Sequence, residues 1–248
     1  MEFDRRWQPL GESLALSADE LHVWSACLDL DQGSVSNLRG LLSRDELDRA
    51  ERYRSGVDRR RFIVARALLR LILGRYLGMS PERLRFRCGP YGKPSLAIEQ
   101  GKWGVEFSVS HSSGMVVYAV GRGRRIGIDL EQVRDMPDLG RLVERYFATS
   151  EQAEFQALSP QQRLEGFYRC WTRKEAFVKA EGRGLAFALD QFEVSLTPGE
   201  PARLLKVNGN PQEASLWRLF DLQPAEGFVG AAAAEGHNLH ITGWQWIE

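Results

Sequence analysis

Trp171-Thr172-Arg173-Lys174-Glu175-Ala176-Phe177-Val178-Lys179 reads as the middle of one helix running from about Gln162 to Glu181. Phe167, Cys170, Trp171, Phe177 and Val178 recur at helical spacing and mark a stripe turned toward the core. Lys174 and Glu175 occupy the two positions where that stripe should continue. Burying an unpaired ion is costly, so this break calls for a partner, either within the protein or in a bound ligand.

The next informative stretch upstream is Ile126-Gly127-Ile128-Asp129-Leu130-Glu131. Read as a strand, its period of two sends Ile126, Ile128 and Leu130 to one face and Gly127, Asp129 and Glu131 to the other. Two carboxylates about 7 Å apart on one face repel without a cation. Oxygen donors so arranged suit a hard divalent ion such as Mg²⁺, although an outward polar face ending in Asp and Glu accounts for them equally simply. With 4 histidines and no cysteine cluster, zinc is a poor fit.

Between these stretches and the N-terminus, Leu21–Leu30 alternates as a strand, and Ser43 with Glu46 forms a capping box for a helix to about Arg54. A longer helix is expected over Asp58–Leu77. On it Arg59, Arg66 and Arg70 read as a solvated face, while Arg61 prolongs the apolar stripe of Ala65, Leu68 and Ile72. Gly89-Pro90-Tyr91-Gly92-Lys93-Pro94 is a turn between expected strands Leu84–Arg87 and Glu106–Ser110. Ser110-His111-Ser112-Ser113 then clusters hydroxyls and an imidazole, as either a polar loop or a ligand site. Met115–Val120, the turn Gly121-Arg122-Gly123-Arg124 and Ile126–Glu131 read as a hairpin. Helices are expected over Leu139–Phe147 and Ser150–Leu158, the second capped by Ser150, and Ser159-Pro160 opens the long helix that Gly182-Arg183-Gly184 ends. Strands follow at Phe192–Leu196, Ala202–Val207, Leu216–Phe220, Phe228–Ala234 and Leu239–Trp246. Helices followed by strands thus occur twice, which points to an α+β fold of two similarly sized halves, residues 1–122 and 123–248.

The bulk numbers exclude several classes of function. Lys plus Arg equals Asp plus Glu at 33 each over 248 residues, so no overall field favours nucleic acid or a membrane surface. Residues 1–20 are polar, without the apolar run of a signal peptide, and Cys27, Cys88 and Cys170 stand in no metal-ligand spacing; a cytoplasmic protein is expected. Asp129, Glu131 and Glu175 with Lys174 and Lys179 make a charge-rich set that would be self-consistent around Mg²⁺ and a polyphosphate, pointing to phosphoryl-type transfer. Nothing resembles a phosphate-binding Walker loop, a kinase signature or a nucleophile elbow.

Gly127-Ile128-Asp129-Leu130-Glu131, followed about forty residues later by Trp171-Thr172-Arg173-Lys174-Glu175-Ala176-Phe177-Val178-Lys179, resembles the paired signature of the 4′-phosphopantetheinyl transferases, in their larger Sfp-type branch. Gly92-Lys93-Pro94, Ser110-His111-Ser112 and Gly182-Arg183-Gly184-Leu185 agree in order, and the resemblance spans about Ser43 to Val194. It implies a monomer of two α+β halves related by a pseudo-twofold axis, with coenzyme A in the cleft between them. Mg²⁺ on Asp129, Glu131 and Glu175 would meet the coenzyme's pyrophosphate. A serine of an apo acyl or peptidyl carrier protein would attack the phosphorus bearing the pantetheine arm, and 3′,5′-ADP would leave.

By the same resemblance Glu175 is the base, Lys179 and secondarily Lys174 contact phosphates, and Arg49, Arg61 and His111 serve the 3′-phosphate. Gly92, Lys93, Pro94 and Ser110 fall on the adenine and ribose-phosphate side. Glu46 stands where some relatives have a lysine, which shifts the 3′-phosphate onto Arg49, Arg61 and His111, and the role of Glu131 varies across the family. Two other readings of the same residues are a Mg²⁺-dependent hydrolase of a coenzyme or dinucleotide pyrophosphate and a non-catalytic module that binds carrier proteins through its arginine-rich helices.

Overall fold

In the computed structural model, which describes residues 14–89, 91–97, 104–184 and 187–246, the period-two stretch around Asp129 is an edge strand and the stripe around Phe177 is a helix lying across it. In chain order the elements are β1 (Glu20–Cys27), α1 (Gln32–Arg39), α2 (Arg44–Ala50), α3 (Gly56–Leu77), β2 (Phe86–Cys88), β3 (Pro94–Leu96), β4 (Val105–Ser112), β5 (Met115–Arg122), β6 (Ile126–Gln132), α4 (Leu139–Tyr146), α5 (Thr149–Ala157), α6 (Pro160–Glu181), β7 (Phe192–Val194), β8 (Leu204–Val207), α7 (Pro211–Ser215), β9 (Trp217–Leu222), β10 (Phe228–Glu235) and β11 (His240–Trp246). The stretch before residue 14, Pro90 of the glycine-rich turn and Leu185 lie outside the described residues.

One sheet runs β11-β1-β5-β4 and a second runs β6-β10-β9. Val64, Ala67, Leu68 and Ile72 of α3 pack on Trp24, Phe107, Val116 and Tyr118 of the first sheet. On the second sheet, Phe167, Cys170 and Phe177 of α6 pack with Trp217, Leu219, Ala231 and Ala233. The other faces of the two sheets meet, Leu21, Val23, Val117 and Ala119 against Ile126, Ile128, Leu130, Ala232 and Ala234. The order of layers is therefore helix, sheet, sheet, helix, and the α+β class read from the sequence is the observed one.

Several local expectations are corrected. β5 and β6 do not pair as a hairpin: β5 has β1 on one edge and β4 on the other, so β6 crosses to the second sheet and pairs antiparallel with β10. The last strand, β11, returns to the first sheet and runs parallel to β1. α2 stops at Ala50 because the amides of Arg52 and Tyr53 reach back only three residues, to Arg49 and Ala50, after which Ser55 caps α3 through the Asp58 amide. α5 starts at Thr149 rather than behind a Ser150 cap; the Glu151 carboxylate accepts the Ala148 amide at 2.7 Å. α1 turns only Val35 and Leu38 to the first core, and it is opened by Asp31, whose carboxylate accepts the amides of Gly33 and Ser34.

The expected solvated face of α3 is also different. Arg70 is 1% exposed, and it donates to Glu46 at 2.8 Å and to the carbonyls of Pro81 and Leu84 at 2.8 and 3.0 Å. Arg66 pairs with the other oxygen of the same carboxylate and covers the Phe86 ring. Glu46 is thus the buried anchor of two arginines as well as the capping partner of Ser43. Arg59 is the one of the three that stays near the surface, paired with Glu51 at 3.1 Å.

Candidate functional site

The site is built on a close approach of backbone to backbone. Gly127 in β6 lies so near α6 that a Cβ there would fall onto the Ala176 carbonyl oxygen and the Ala180 amide nitrogen. Ala176 and Ala180 are buried on that face, and the residues beside them, Glu175 and Lys179, project over the next turn of β6, where Asp129 and Glu131 point the same way as Gly127.

Asp129 is 4% exposed. Its Oδ1 accepts from Lys179 Nζ at 2.7 Å and from Ser110 Oγ at 2.9 Å, and Lys179 also donates to Ser110 Oγ at 2.9 Å. Oδ2 of Asp129 is buried with no hydrogen-bond partner among the described residues. Glu131 accepts the Ser112 hydroxyl on Oε2 at 3.0 Å, and Oε1 takes no partner among the described residues. Glu175, half-buried, has neither hydrogen bond nor ion pair among them. Burial, then the negative charge of Asp129, pushes both glutamates above the usual carboxylate range. Such a set of three carboxylates is offset, among the described residues, only by Lys179 and by the weaker effect of Arg134 on Glu131. Among the described residues no three acid, histidine or cysteine side chains already converge as an ion cage, and Lys179 stands as the counter-charge on Asp129.

The remaining predicted residues surround this cluster at differing distances. His111 lies exposed beyond Ser110, its imidazole pushed below the usual range by partial desolvation and then by Lys179. Arg61 forms a two-pronged pair with Asp29, both contacts 2.7 Å, beside Gly114 in the β4–β5 turn. Asp58 acts electrostatically on both Arg61 and His111, so the start of α3 faces the His111 side. Arg49 is exposed on α2 over the ring of Phe62. Lys93 donates to the Ile126 carbonyl at 2.8 Å, and burial pulls its ammonium below the usual range. Gly92 turns this loop with φ 83° and Pro94 opens β3, while Tyr91 and Lys93 lie against Gly184 and Gly182 at the end of α6.

Lys174 is the correction. Expected to contact phosphates, it is 0% exposed and points away from the acid cluster, into the second core. Its ammonium is held by Glu151 at 2.7 Å and by the carbonyls of Leu189 and Phe192 at 2.7 and 2.6 Å, which leaves it no donor for a ligand. Replacing Lys174 by Met strands Glu151 uncompensated, and a loss of about 3–5 kcal/mol is expected by denaturant unfolding, with the KM for coenzyme A unchanged. A raised KM at unaltered stability would restore Lys174 to the site.

Sequence reasoning passed over Ser112 and Gly127 as working parts. Both stood inside quoted motifs. The signal for Gly127 was a glycine in the middle of a strand, which marks close backbone approach.

Residues 125–233 match the family described as the 4′-phosphopantetheinyl transferase superfamily, and residues 32–122 match that described as 4′-phosphopantetheinyl transferase, N-terminal. The two matches adjoin at the crossing from β5 to β6. The chain is 40% identical to the 4′-phosphopantetheinyl transferase HetI of Nostoc sp. over 239 residues, 96% of this chain and 95% of that one. It is 33% identical to a putative 4′-phosphopantetheinyl transferase of Synechocystis sp. over 76% of this chain and 75% of that one. With the 4′-phosphopantetheinyl transferase Sfp of Bacillus subtilis it shares 28% identity over 67% of this chain and 72% of that one. With an acid cluster held between β6 and α6 and a relative of this identity matched almost end to end, the chain belongs to the 4′-phosphopantetheinyl transferase family.

Proposed function

We propose that the junction of β4, β6 and α6 is where this enzyme transfers the 4′-phosphopantetheine arm of coenzyme A to a serine of an apo carrier protein, releasing 3′,5′-ADP. The observation that carries the site assignment is the buried carboxylate oxygen of Asp129 without a hydrogen-bond partner among the described residues, with the half-buried Glu175, itself without hydrogen bond or ion pair among them, close enough to feel the Asp129 charge. Asp129, Glu131 and Glu175 offer hard oxygen donors with too little positive charge around them, which fits Mg²⁺ better than a softer ion. When bound there, such an ion would neutralise oxygens of the coenzyme's pyrophosphate.

The chain's own residues have separable tasks. Lys179 orients Asp129 and brings an ammonium to the phosphates. Glu175, its affinity for protons raised by burial and by Asp129, takes the proton of the attacking serine hydroxyl. The serine oxygen forms its bond to the phosphorus that carries pantetheine as the bond to the departing 3′,5′-ADP breaks, with the negative charge leaving on that product. His111, Arg61 and Arg49 serve the 3′-phosphate, and Gly92, Lys93, Pro94 and Ser110 the adenosine side. All these groups belong to one chain, so we read the working unit as a monomer of two halves divided near residue 122. Among the described residues no helix is long and apolar enough to cross a membrane, and exposed Cys27 and Cys88 suit a reducing, cytoplasmic setting.

Intact-mass measurement of a panel of apo carrier proteins, incubated with coenzyme A, Mg²⁺ and this protein, tests the reading. Gain of the phosphopantetheine arm on at least one carrier is expected. Release of 3′,5′-ADP with no carrier present would mark a hydrolase instead, and no gain on any carrier would overturn transfer.

A further inference from the structure

We propose that Ser112 is a positioning residue that aims Glu131 at the cation, as part of a ladder of serine hydroxyls that replaces a backbone ladder between the two sheets. The proposal rests on the reading of Asp129, Glu131 and Glu175 as cation ligands. β4 is the edge strand of the first sheet and β6 the edge strand of the second. They contact each other, but the backbone ladder of each strand is with another neighbour: β4 with β5, and β6 with β10.

Alternate serines of β4 bridge the seam. Ser108 Oγ accepts the Ile128 amide at 3.1 Å, Ser110 Oγ donates to Asp129 at 2.9 Å, and Ser112 Oγ accepts the Gln132 amide at 3.2 Å while donating to Glu131 at 3.0 Å. The offset is twenty residues at Ser108 and again at Ser112, so the strands run in the same direction and each hydroxyl meets its own step of β6. A period of two makes this possible: Phe107 faces the core while Ser108, Ser110 and Ser112 share the face toward β6.

The three hydroxyls are not equivalent. Ser108 touches only backbone, so its work is to hold the seam. Ser112 has both roles in one atom: the Gln132 amide fixes where its oxygen sits, and its proton then fixes Oε2 of Glu131, while Oε1 takes no partner among the described residues. A hydrogen bond that orients a ligating carboxylate is commonly worth 10–100-fold in metal affinity. By this account Glu131 is a direct ligand because Ser112 holds it, and a chain lacking that hydroxyl would carry a Glu131 free to swing into solvent.

The test uses Mn²⁺ as the probe, with coenzyme A present, and reads free Mn²⁺ by electron paramagnetic resonance. Ser112→Ala is expected to weaken Mn²⁺ binding about tenfold, Ser112→Thr to restore it, and Ser108→Ala to leave it at the parent value. Thermal melts accompany each variant, because both alanine variants should loosen the seam and lower the Tm alike. In a Glu131→Gln background Ser112→Ala should have no further effect on Mn²⁺. If the parent binds Mn²⁺ and Ser112→Ala binds it equally well, or if Ser108→Ala weakens it as much, the positioning role is overturned while the cation reading stands. A parent that retains no Mn²⁺ overturns the cation reading, and this one with it.

Discussion

Glu175→Gln is expected to lower kcat for carrier modification by about three orders of magnitude and to weaken cation-assisted coenzyme A binding, while the melting curve stays close to the parent. The side chain makes no hydrogen bond or ion pair among the described residues, so the amide, nearly the same in shape, strands no partner. What it removes is a proton acceptor and one charged oxygen donor from a site whose other acids are Asp129 and Glu131. Burial and the neighbouring carboxylates hold its pKa high. A base must be deprotonated to act, so activity should rise with pH through that raised pKa and fall away below it. A bound cation opposes the shift, so raising Mg²⁺ should move this acid limb to lower pH. Loss of the limb in Glu175→Gln, measured as log kcat against pH, would identify the group. Wild-type kcat with an unchanged profile would remove Glu175 from catalysis.

The acid cluster was legible in the sequence because both of its halves obey local periods. The period of two joins Gly127, Asp129 and Glu131 on one face, and the spacing of four joins Glu175 to Lys179. The same local rules failed where the deciding partner was remote in sequence. Lys174 and Glu175 interrupt the same stripe, and nothing local distinguishes them; Glu151, on another helix, claims one and leaves the other half-buried without an ion pair among the described residues. Arg66 and Arg70 read as solvated because their partner, Glu46, lies on α2, and Glu46 itself read as a helix cap and a missing lysine but not as the anchor of two arginines. The hairpin expected at Gly121–Arg124 has suitable turn residues. Which strands flank β5 is settled by β1, about ninety residues earlier in the chain, and by β4. The pairing of β11 with β1 spans nearly the whole chain and has no local signature.

Gly127→Ala should show how far this chemistry depends on backbone contact. The added methyl meets the carbonyl oxygen of Ala176 and the amide nitrogen of Ala180, and neither can rotate away as a side chain would. β6 cannot retreat easily, because Ile126, Ile128 and Leu130 on its other face are packed against Leu21, Val23, Val117 and Ala119 of the first sheet. α6 must therefore lift. Overpacking of this kind costs about 3 kcal/mol, which for a chain of this length lowers Tm by roughly 6–12 °C. The functional loss should exceed what unfolding explains: a shift of about 1 Å in Glu175 and Lys179 relative to Asp129 costs about a hundredfold in kcat even where the variant is fully folded. Gly140→Ala is the control, since a Cβ there meets nothing within 4 Å and the residue lies in α4, where alanine favours the helix. Melting curves and kcat measured well below the variant's Tm separate the two effects. Parental stability and parental kcat in Gly127→Ala would mean that the contact of α6 on β6 does not set the geometry of the acids.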